Sequence, residues 1–459
     1  MKSKIAIVHY RVGRTDGVSL EIEKRKTILQ NLGHEVRLIS GPVQTGADLI
    51  IDELEFDNEV ISGIKEQSFT YFNRREKNPA QLMIRIQEIS DIIEDKFLAY
   101  HEEEQFSAVL LHNIFSHGRH IAAAAAFTRI AEKIEIPFIS TNHDYYWERE
   151  EYLDPASKEI SHFLNEYVPP SLRNIQHVSI NTPARIALLE KRNIDSIVFP
   201  DIFDFEQPPW VKDRFNADFR KTFKIKENDL LVLQATRIVA RKGIEIAVDF
   251  VTKLDSMKAV LIGKTLYNGR VLDHSSDIVL VLAGYAEKSA SDYLSLLKTY
   301  IKGKGLKVRF IHKSIAHKRS DEENDKIYSL WDAYAHADLV TYPSLFEGWG
   351  NQFIEAVFAR RPVVLFEYPV FRADIRQEGY SYVSLGDKYH IDDCGLAKID
   401  SDKLKKSVNE VVSMLADASK TPLLLENNST IGESYHGYKV LSKFLEHSVN
   451  KNLEKSKIL

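Results

Sequence analysis

Two runs of alternating elements, separated by a single break, constrain this chain more than any other feature of its sequence. In the first run, short and almost continuously apolar segments fall at residues 5–8, 36–40, 108–112, 138–141, 178–181 and 197–199. Helical patterns lie between them at 18–32, 81–100, 119–133 and 184–192, with Gly33 fitting the stop of the first. Strands this short and this apolar are buried on both faces, which predicts a parallel sheet covered by helices. Residues 201–210, preceded by Pro200 and containing Pro208 and Pro209, break the rhythm. It then restarts, with strands predicted at 230–234, 259–262, 278–282, 308–311, 338–342 and 363–366 and helices at 244–254, 291–302, 328–335 and 351–359. The chain therefore reads as α/β, with two doubly wound, Rossmann-like domains over residues 1–200 and 201–433 and a polar helical tail over 434–459. Open sheets of this kind bind ligands outside the carboxyl ends of their strands, so the chemistry is expected on loops that follow strands and face a central cleft.

Composition removes several other classes. A length of 459 residues suits two or three domains, and 44% hydrophobic residues are enough to build their cores. Lys and Arg number 61 against 66 Asp and Glu, a net charge of −5 that disfavours a general nucleic-acid binder. No apolar run approaches the ~20 residues of a membrane span. The segment 1–8 is too short and too soon charged for a signal peptide and reads as a first strand. Cys394 is the only cysteine, so neither an intrachain disulfide nor a cysteine-based zinc cluster is expected, and a cytoplasmic location is. The acidic stretches 102–104 and 321–325 read as solvated loops.

The segment Pro343-Ser344-Leu345-Phe346-Glu347-Gly348-Trp349-Gly350-Asn351-Gln352-Phe353-Ile354-Glu355-Ala356 follows a predicted strand and opens a predicted helix. Gly348 and Gly350 permit a tight turn close to a ligand. The helix start offers unpaired amides and a positive dipole end to an anion. Glu347 and Glu355 lie about two helical turns apart, so both carboxylates can accept hydroxyl hydrogen bonds along one ligand. A site for both a diphosphate and polyols suits a nucleotide sugar. A second strand-to-helix segment, Ala235-Thr236-Arg237-Ile238-Val239-Ala240-Arg241-Lys242-Gly243, brings Arg237 and Lys242 to the same edge, where fixed cations can stabilise a departing diphosphate. Arg241 reads as facing water. In the first domain, Thr141-Asn142-His143-Asp144 ends a strand and places His143 at the expected cleft, next to the strand end His112-Asn113. Gly17 opens the first helix and could approach phosphate or acceptor. No Asp-x-Asp element stands at a strand end, so no dedicated metal site and no required cofactor are predicted, with Mg2+ dependence left open.

Together these residues resemble a retaining GT-B glycosyltransferase of glycosyltransferase family 4. That group's Glu-x7-Glu signature matches Glu347 and Glu355, and its Arg-x4-Lys-Gly signature matches Arg237 and Lys242-Gly243. Val198-Phe199-Pro200-Asp201-Ile202-Phe203-Asp204 stands where relatives have a Pro-Asn-Gly-Val-Asp-like linker, with Asp201 for the usual Asn and Ile202 for the usual Gly. Trp349-Gly350-Asn351-Gln352 replaces a frequent Phe-Gly-Leu-Pro. The resemblance implies that Glu347 contacts the donor sugar and Glu355 the ribose. It gives Gly348, Trp349, Gly350 and Asn351 to the sugar and phosphate pocket, and Arg237 and Lys242 to the diphosphate. His143 would bind the donor sugar, Gly17 would meet donor phosphate and acceptor, and the tail would cross back to the first domain.

The segments from His9 to Glu21 and from His143 to Glu150 are also similar to those of mannosylglucosyl-phosphoglycerate synthases, which use GDP-mannose and a glucosyl-phosphoglycerate acceptor. An anionic acceptor implies cations in the first domain. Arg11, Arg14, Arg74, Arg75 and Arg119 are candidates, with Asp16 and Asp144 as polar acceptor contacts. Tyr145, Tyr146 and Trp147 either stack on a sugar or belong to the core. The expected activity is hexosyl transfer to a small soluble acceptor. A sugar phosphorylase, a nucleotide-sugar epimerase, a membrane-docked transferase and a non-catalytic binding protein remain as alternatives at this point.

Overall fold

A computed structural model describes residues 3–13, 16–43, 46–73, 78–287, 290–322 and 325–455. The chain divides into two compact units, Met1–Ile202 with Tyr438–Leu459, and Phe203–Gly437. Each is Rossmann-like, with a parallel sheet between layers of helix.

The first unit carries seven parallel strands in the spatial order Leu49–Ile50, Glu35–Ser40, Lys4–Val8, Ala108–His112, Phe138–Asn142, Ile175–Ser179 and Ile197–Val198. The strand predicted at 178–181 ends two residues early. Asn181 is needed as the cap of the helix Thr182–Arg192, where its side chain accepts from the Ala184 amide at 2.7 Å. The acidic run at 102–104 is not a loop but the last turn of the helix Pro79–Glu104. Carboxylates are disfavoured at that end of a helix dipole, and Glu104 is offset by Lys4 at 2.9 Å and Arg37 at 3.3 Å. The alanine run 122–126 is buried and lets its helix lie close to Pro79–Glu104, close enough for Ser90 Oγ to donate to the Ala122 carbonyl at 2.9 Å. The final helix, Tyr438–Lys455, buries Leu441, Leu445 and Val449 at one helical spacing among Ile22, Ile28 and Leu29 of the helix Gly17–Asn31. Phe444 stacks on Phe199 with ring centroids 4.0 Å apart.

The second unit has six parallel strands in the order Lys307–Phe310, Ile278–Leu282, Leu230–Gln234, Leu339–Tyr342, Val363–Leu365 and Val383–Ser384. The predicted strand at 259–262 is absent from this sheet. Lys258–Val260 is a turn of 3-10 helix, and Val260 is exposed. The place beside Leu230–Gln234 is taken by Ile278–Leu282, whose five residues are all buried and so gain more from a central position. The helix predicted from 328 begins at Leu330, because Ser329 caps it in a reciprocal box with Asp332. Tyr328 instead lies in the strand Asp325–Ser329, which pairs antiparallel with Ser320–Glu322. Of the stretch read as a solvated acidic loop, Asp321, Glu322 and Asp325 therefore lie in paired strands.

Candidate functional site

Leu230–Gln234 and Leu339–Tyr342 are parallel neighbours, so the loops that follow them leave the same edge of the second unit's sheet. The loops touch backbone to backbone. Gly243 has φ +56°, and a Cβ there would stand 2.4 Å from the Pro343 carbonyl oxygen. The Leu345 amide donates to the Arg241 carbonyl at 2.8 Å. This contact delivers Lys242, 4% exposed, to Glu347, 8% exposed, and the ammonium bonds directly to the carboxylate. Burial lowers the Lys242 pKa and the Glu347 charge opposes that shift. Arg241 does not face water alone. Its guanidinium donates to Glu347 Oε2 and to the Phe346 carbonyl, each at 3.1 Å. Arg237 is bound instead by Glu287, which lies on the loop after Ile278–Leu282.

The turn after Glu347 is shaped by its neighbours. A Cβ on Gly350 would lie 2.7 Å from Ile375 Cδ1 and 2.9 Å from the Tyr368 hydroxyl, so any side chain there would have to displace them. Tyr368 donates to the Trp349 carbonyl at 2.9 Å. The buried Trp349 ring meets His436 edge-on at 5.5 Å. Gly348 precedes this turn, and Asn351 opens the helix Asn351–Phe358, on which Glu355 lies. Glu355 accepts from the Tyr334 hydroxyl at 2.9 Å, a partner 21 residues away that no motif spacing announces. Burial and the Glu355 charge keep that phenol protonated.

In the first unit, the neighbouring strands Ala108–His112 and Phe138–Asn142 release their loops at one edge. The loops interlock. The His143 amide donates to Asn113 Oδ1 at 2.8 Å and the Tyr146 amide to the Ser116 carbonyl at 2.7 Å. His143 Nδ1 lies 3.3 Å from Asp201 Oδ1, and its Nε2 lies 3.5 Å from His112 Nδ1. Among the described residues no group of His, Cys, Asp and Glu is arranged to hold a metal ion. Asp144 is taken by Arg149 and lies 3.8 Å from His117; these charges lower its pKa against the opposing effect of burial. Tyr145 is core rather than a sugar platform. It is fully buried, stacks on Trp147 at 4.6 Å and bonds Ser179 at 2.9 Å.

Asp16 caps the helix Gly17–Asn31, accepting from the Ser19 amide at 3.1 Å. Gly17 is exposed, and a Cβ there would meet nothing within 4 Å. Arg11 is bound by Glu55 and Asp57. Arg119 lies over the Phe56 ring, 4.4 Å from its centroid. Arg14, Arg74 and Arg75 lie outside the described residues.

The family described as glycosyl transferases group 1 matches residues 215–394, which contain both loops of the second unit's site. The chain is 37% identical, over 96% of its length and all of the relative's, to a mannosylglucosylglycerate synthase of Petrotoga mobilis. It is 35% identical, over 97% of its length and 99% of the relative's, to a mannosylglucosylglycerate synthase of Thermotoga maritima. The chain belongs to the group 1 glycosyltransferases. The solved structure of a glycosyltransferase from Rickettsia africae matches 99% of the chain and 98% of its own length with a TM-score of 0.62 at 14% identity, which shows a shared fold. This group 1 glycosyltransferase thus has the GT-B architecture of two Rossmann-like domains. No helix among its described residues is long and apolar enough to cross a membrane.

Proposed function

We propose that this glycosyltransferase moves a mannosyl group from GDP-mannose to glucosylglycerate, with retention at the anomeric carbon. The observation that carries this reading is the identity of 35–37% along nearly the whole chain to two mannosylglucosylglycerate synthases. That name describes a mannosyl group joined to glucosylglycerate and contains no phosphate. Glucosylglycerate is therefore preferred over the glucosyl-phosphoglycerate expected from the opening motifs.

In this reading the second unit holds the donor. Lys242 and Arg237 bind the diphosphate, exchanging their present carboxylate partners Glu347 and Glu287 for phosphate oxygens. The released Glu347 accepts from the donor sugar, while Glu355, oriented by Tyr334, accepts from the ribose. Gly348, Trp349 and Gly350 shape the turn, and the amides at Asn351 face the phosphate. In the first unit, His143 contacts the mannosyl group and Gly17 leaves room for phosphate and acceptor. The bond from the anomeric carbon to the diphosphate oxygen breaks as the acceptor hydroxyl oxygen bonds the same face. The acceptor proton passes to the departing phosphate, whose charge the cations take up.

The test is incubation with GDP-mannose, UDP-glucose and ADP-glucose against glucosylglycerate and glucosyl-phosphoglycerate, with products read by mass and anomeric NMR. A mannosylglucosylglycerate with the donor's anomeric configuration supports the proposal. An inverted configuration overturns retention, and a product formed only from the phosphorylated acceptor overturns the acceptor assignment.

A further inference from the structure

Of the five arginines that could meet an anionic acceptor, two are described by the structure, and their surroundings differ. Arg11 stands 3.9 Å over the Phe56 ring but is already neutralised by Glu55 and Asp57. Arg119 stands 4.4 Å over the same ring, and no carboxylate among the described residues pairs with it. The Arg119 charge acts on the nearby Tyr152 phenol, opposing the rise that burial gives its pKa. Arg149, the other nearby cation, is taken by Asp144.

The surroundings hold this guanidinium rather than leaving it to solvent. Arg119 is partly buried in the 3-10 turn Gly118–His120 that leads into the helix Ile121–Lys133. A Cβ on Gly118 would stand 2.7 Å from the Tyr152 ring, so the turn is pressed against that side chain. His117 accepts from the Arg119 amide at 3.1 Å and packs edge-on against Tyr152 at 5.3 Å. The turn belongs to the loop locked to the one carrying His143, through the Tyr146–Ser116 and His143–Asn113 hydrogen bonds. A planar fork held in place, lacking an anion, at the strand edge where ligands bind is suited to a carboxylate taken in two parallel hydrogen bonds.

We infer that Arg119 receives the carboxylate of the acceptor's glycerate end and is the residue that selects an anionic over a neutral acceptor. This rests on the acceptor class proposed above. The test compares wild type, Arg119→Gln and Arg119→Lys on glucosylglycerate and on glucosylglycerol, which carries a hydroxymethyl group in place of the carboxylate. Binding of GDP-mannose is measured alongside by calorimetry. Loss of a charge-assisted pair predicts about a 10–100-fold fall in kcat/KM for glucosylglycerate in Arg119→Gln, mostly through KM. Turnover of glucosylglycerol and the Kd for GDP-mannose should change by less than about threefold, within the range of a substitution that touches neither. Arg119→Lys keeps the charge without the fork and should fall between. Free D-glycerate should inhibit the wild type and not Arg119→Gln. An equal loss on both acceptors, or undiminished use of glucosylglycerate, overturns the assignment. If the wild type ignores glucosylglycerate altogether, the acceptor proposal fails. Arg119 is then judged on whether Arg119→Gln erases the preference for the anionic member of whichever acceptor pair the enzyme uses.

Discussion

His143 and Asp201 face one another across 3.3 Å, Nδ1 to Oδ1, although 58 residues separate them in the chain. The Asp201 side chain is 11% exposed. Burial alone would raise its pKa, but the His143 charge and hydrogen bond, with Lys24 and Arg25 beyond, bring it down to about 2. A carboxylate there holds the imidazole by Nδ1 and leaves Nε2 towards His112. Asp201→Asn keeps an acceptor in place but removes the charge. It should lower kcat about 10–100-fold, the worth of a charge-assisted hydrogen bond, while the Kd for GDP-mannose stays near the wild-type value. Steady-state kinetics with parallel calorimetry checks this, and an unchanged kcat would show that the Asp201 charge is not needed to orient the ring.

The Lys242–Glu347 pair is buried on both sides, so removing one partner strands the other. Lys242→Met and Glu347→Gln should each destabilise the enzyme without donor by about 3 kcal/mol. Arg241 softens the loss in Lys242→Met by remaining on Glu347. The double variant should lose less than the sum, with a coupling of about 1–3 kcal/mol. Urea denaturation of the four proteins measures this, and strict additivity would count against a coupled pair. Lys242→Met should also weaken GDP-mannose binding at least tenfold, the ratio that ~1.4 kcal/mol represents.

Gly243→Ala combines a left-handed backbone with a collision against the Pro343 carbonyl. It should cost more than ~1 kcal/mol and push the two site loops apart. A lowered melting temperature together with weakened GDP-mannose binding is the expected result. Gly17→Ala offers the contrast, since a Cβ there meets nothing in the protein. It should leave the melting temperature unchanged and show any effect only with substrates present.

Four histidines of the first unit, His9, His117, His120 and His177, have pKa values lowered by burial to about 4. At His177, Nε2 donates to the Pro170 carbonyl at 2.9 Å. At His120, Nδ1 accepts from the Ala123 amide at 3.3 Å and Nε2 donates to the Glu53 carbonyl at 2.6 Å. The His120 arrangement needs a neutral ring, because its Nδ1 must keep a lone pair to accept. Between pH 6.5 and about 4 the unfolded chain binds protons that the native state refuses, so stability falls on acidification through that window and is fully retained above it. Melting temperatures taken from pH 7.5 down to 4.5 should show this slope. His120→Gln should melt lower at pH 7.5 but depend less on pH, and an unaltered slope would argue against its contribution.

The sequence made the two alternating runs legible because buried parallel strands carry an apolar signature independent of their partners. It also marked Glu347, Glu355, Arg237 and Lys242, because strand-to-helix turns with glycines are local. Pairings across the sheet edge were not legible in the same way. Nothing in the spacing tells that Arg241 reaches Glu347, that Tyr334 holds Glu355, or that Arg237 is engaged by Glu287. The misreading of 259–262 has a similar source. A four-residue apolar run does not say which segment wins a place in the sheet, and the longer, fully buried Ile278–Leu282 does. Asp201 in place of the usual linker Asn was visible, but its meaning depended on the arrival of His143 from another strand.

The last helix fills the first unit's core with Leu441, Leu445 and Val449. During synthesis residues 203–437 emerge before that helix exists. The part of the protein translated first therefore cannot finish folding until the ribosome has released the final turns, and the second unit is free to fold ahead of it. Stop codons or tags near the carboxyl terminus will thus injure the amino-terminal half of the enzyme, the half furthest from them in the gene.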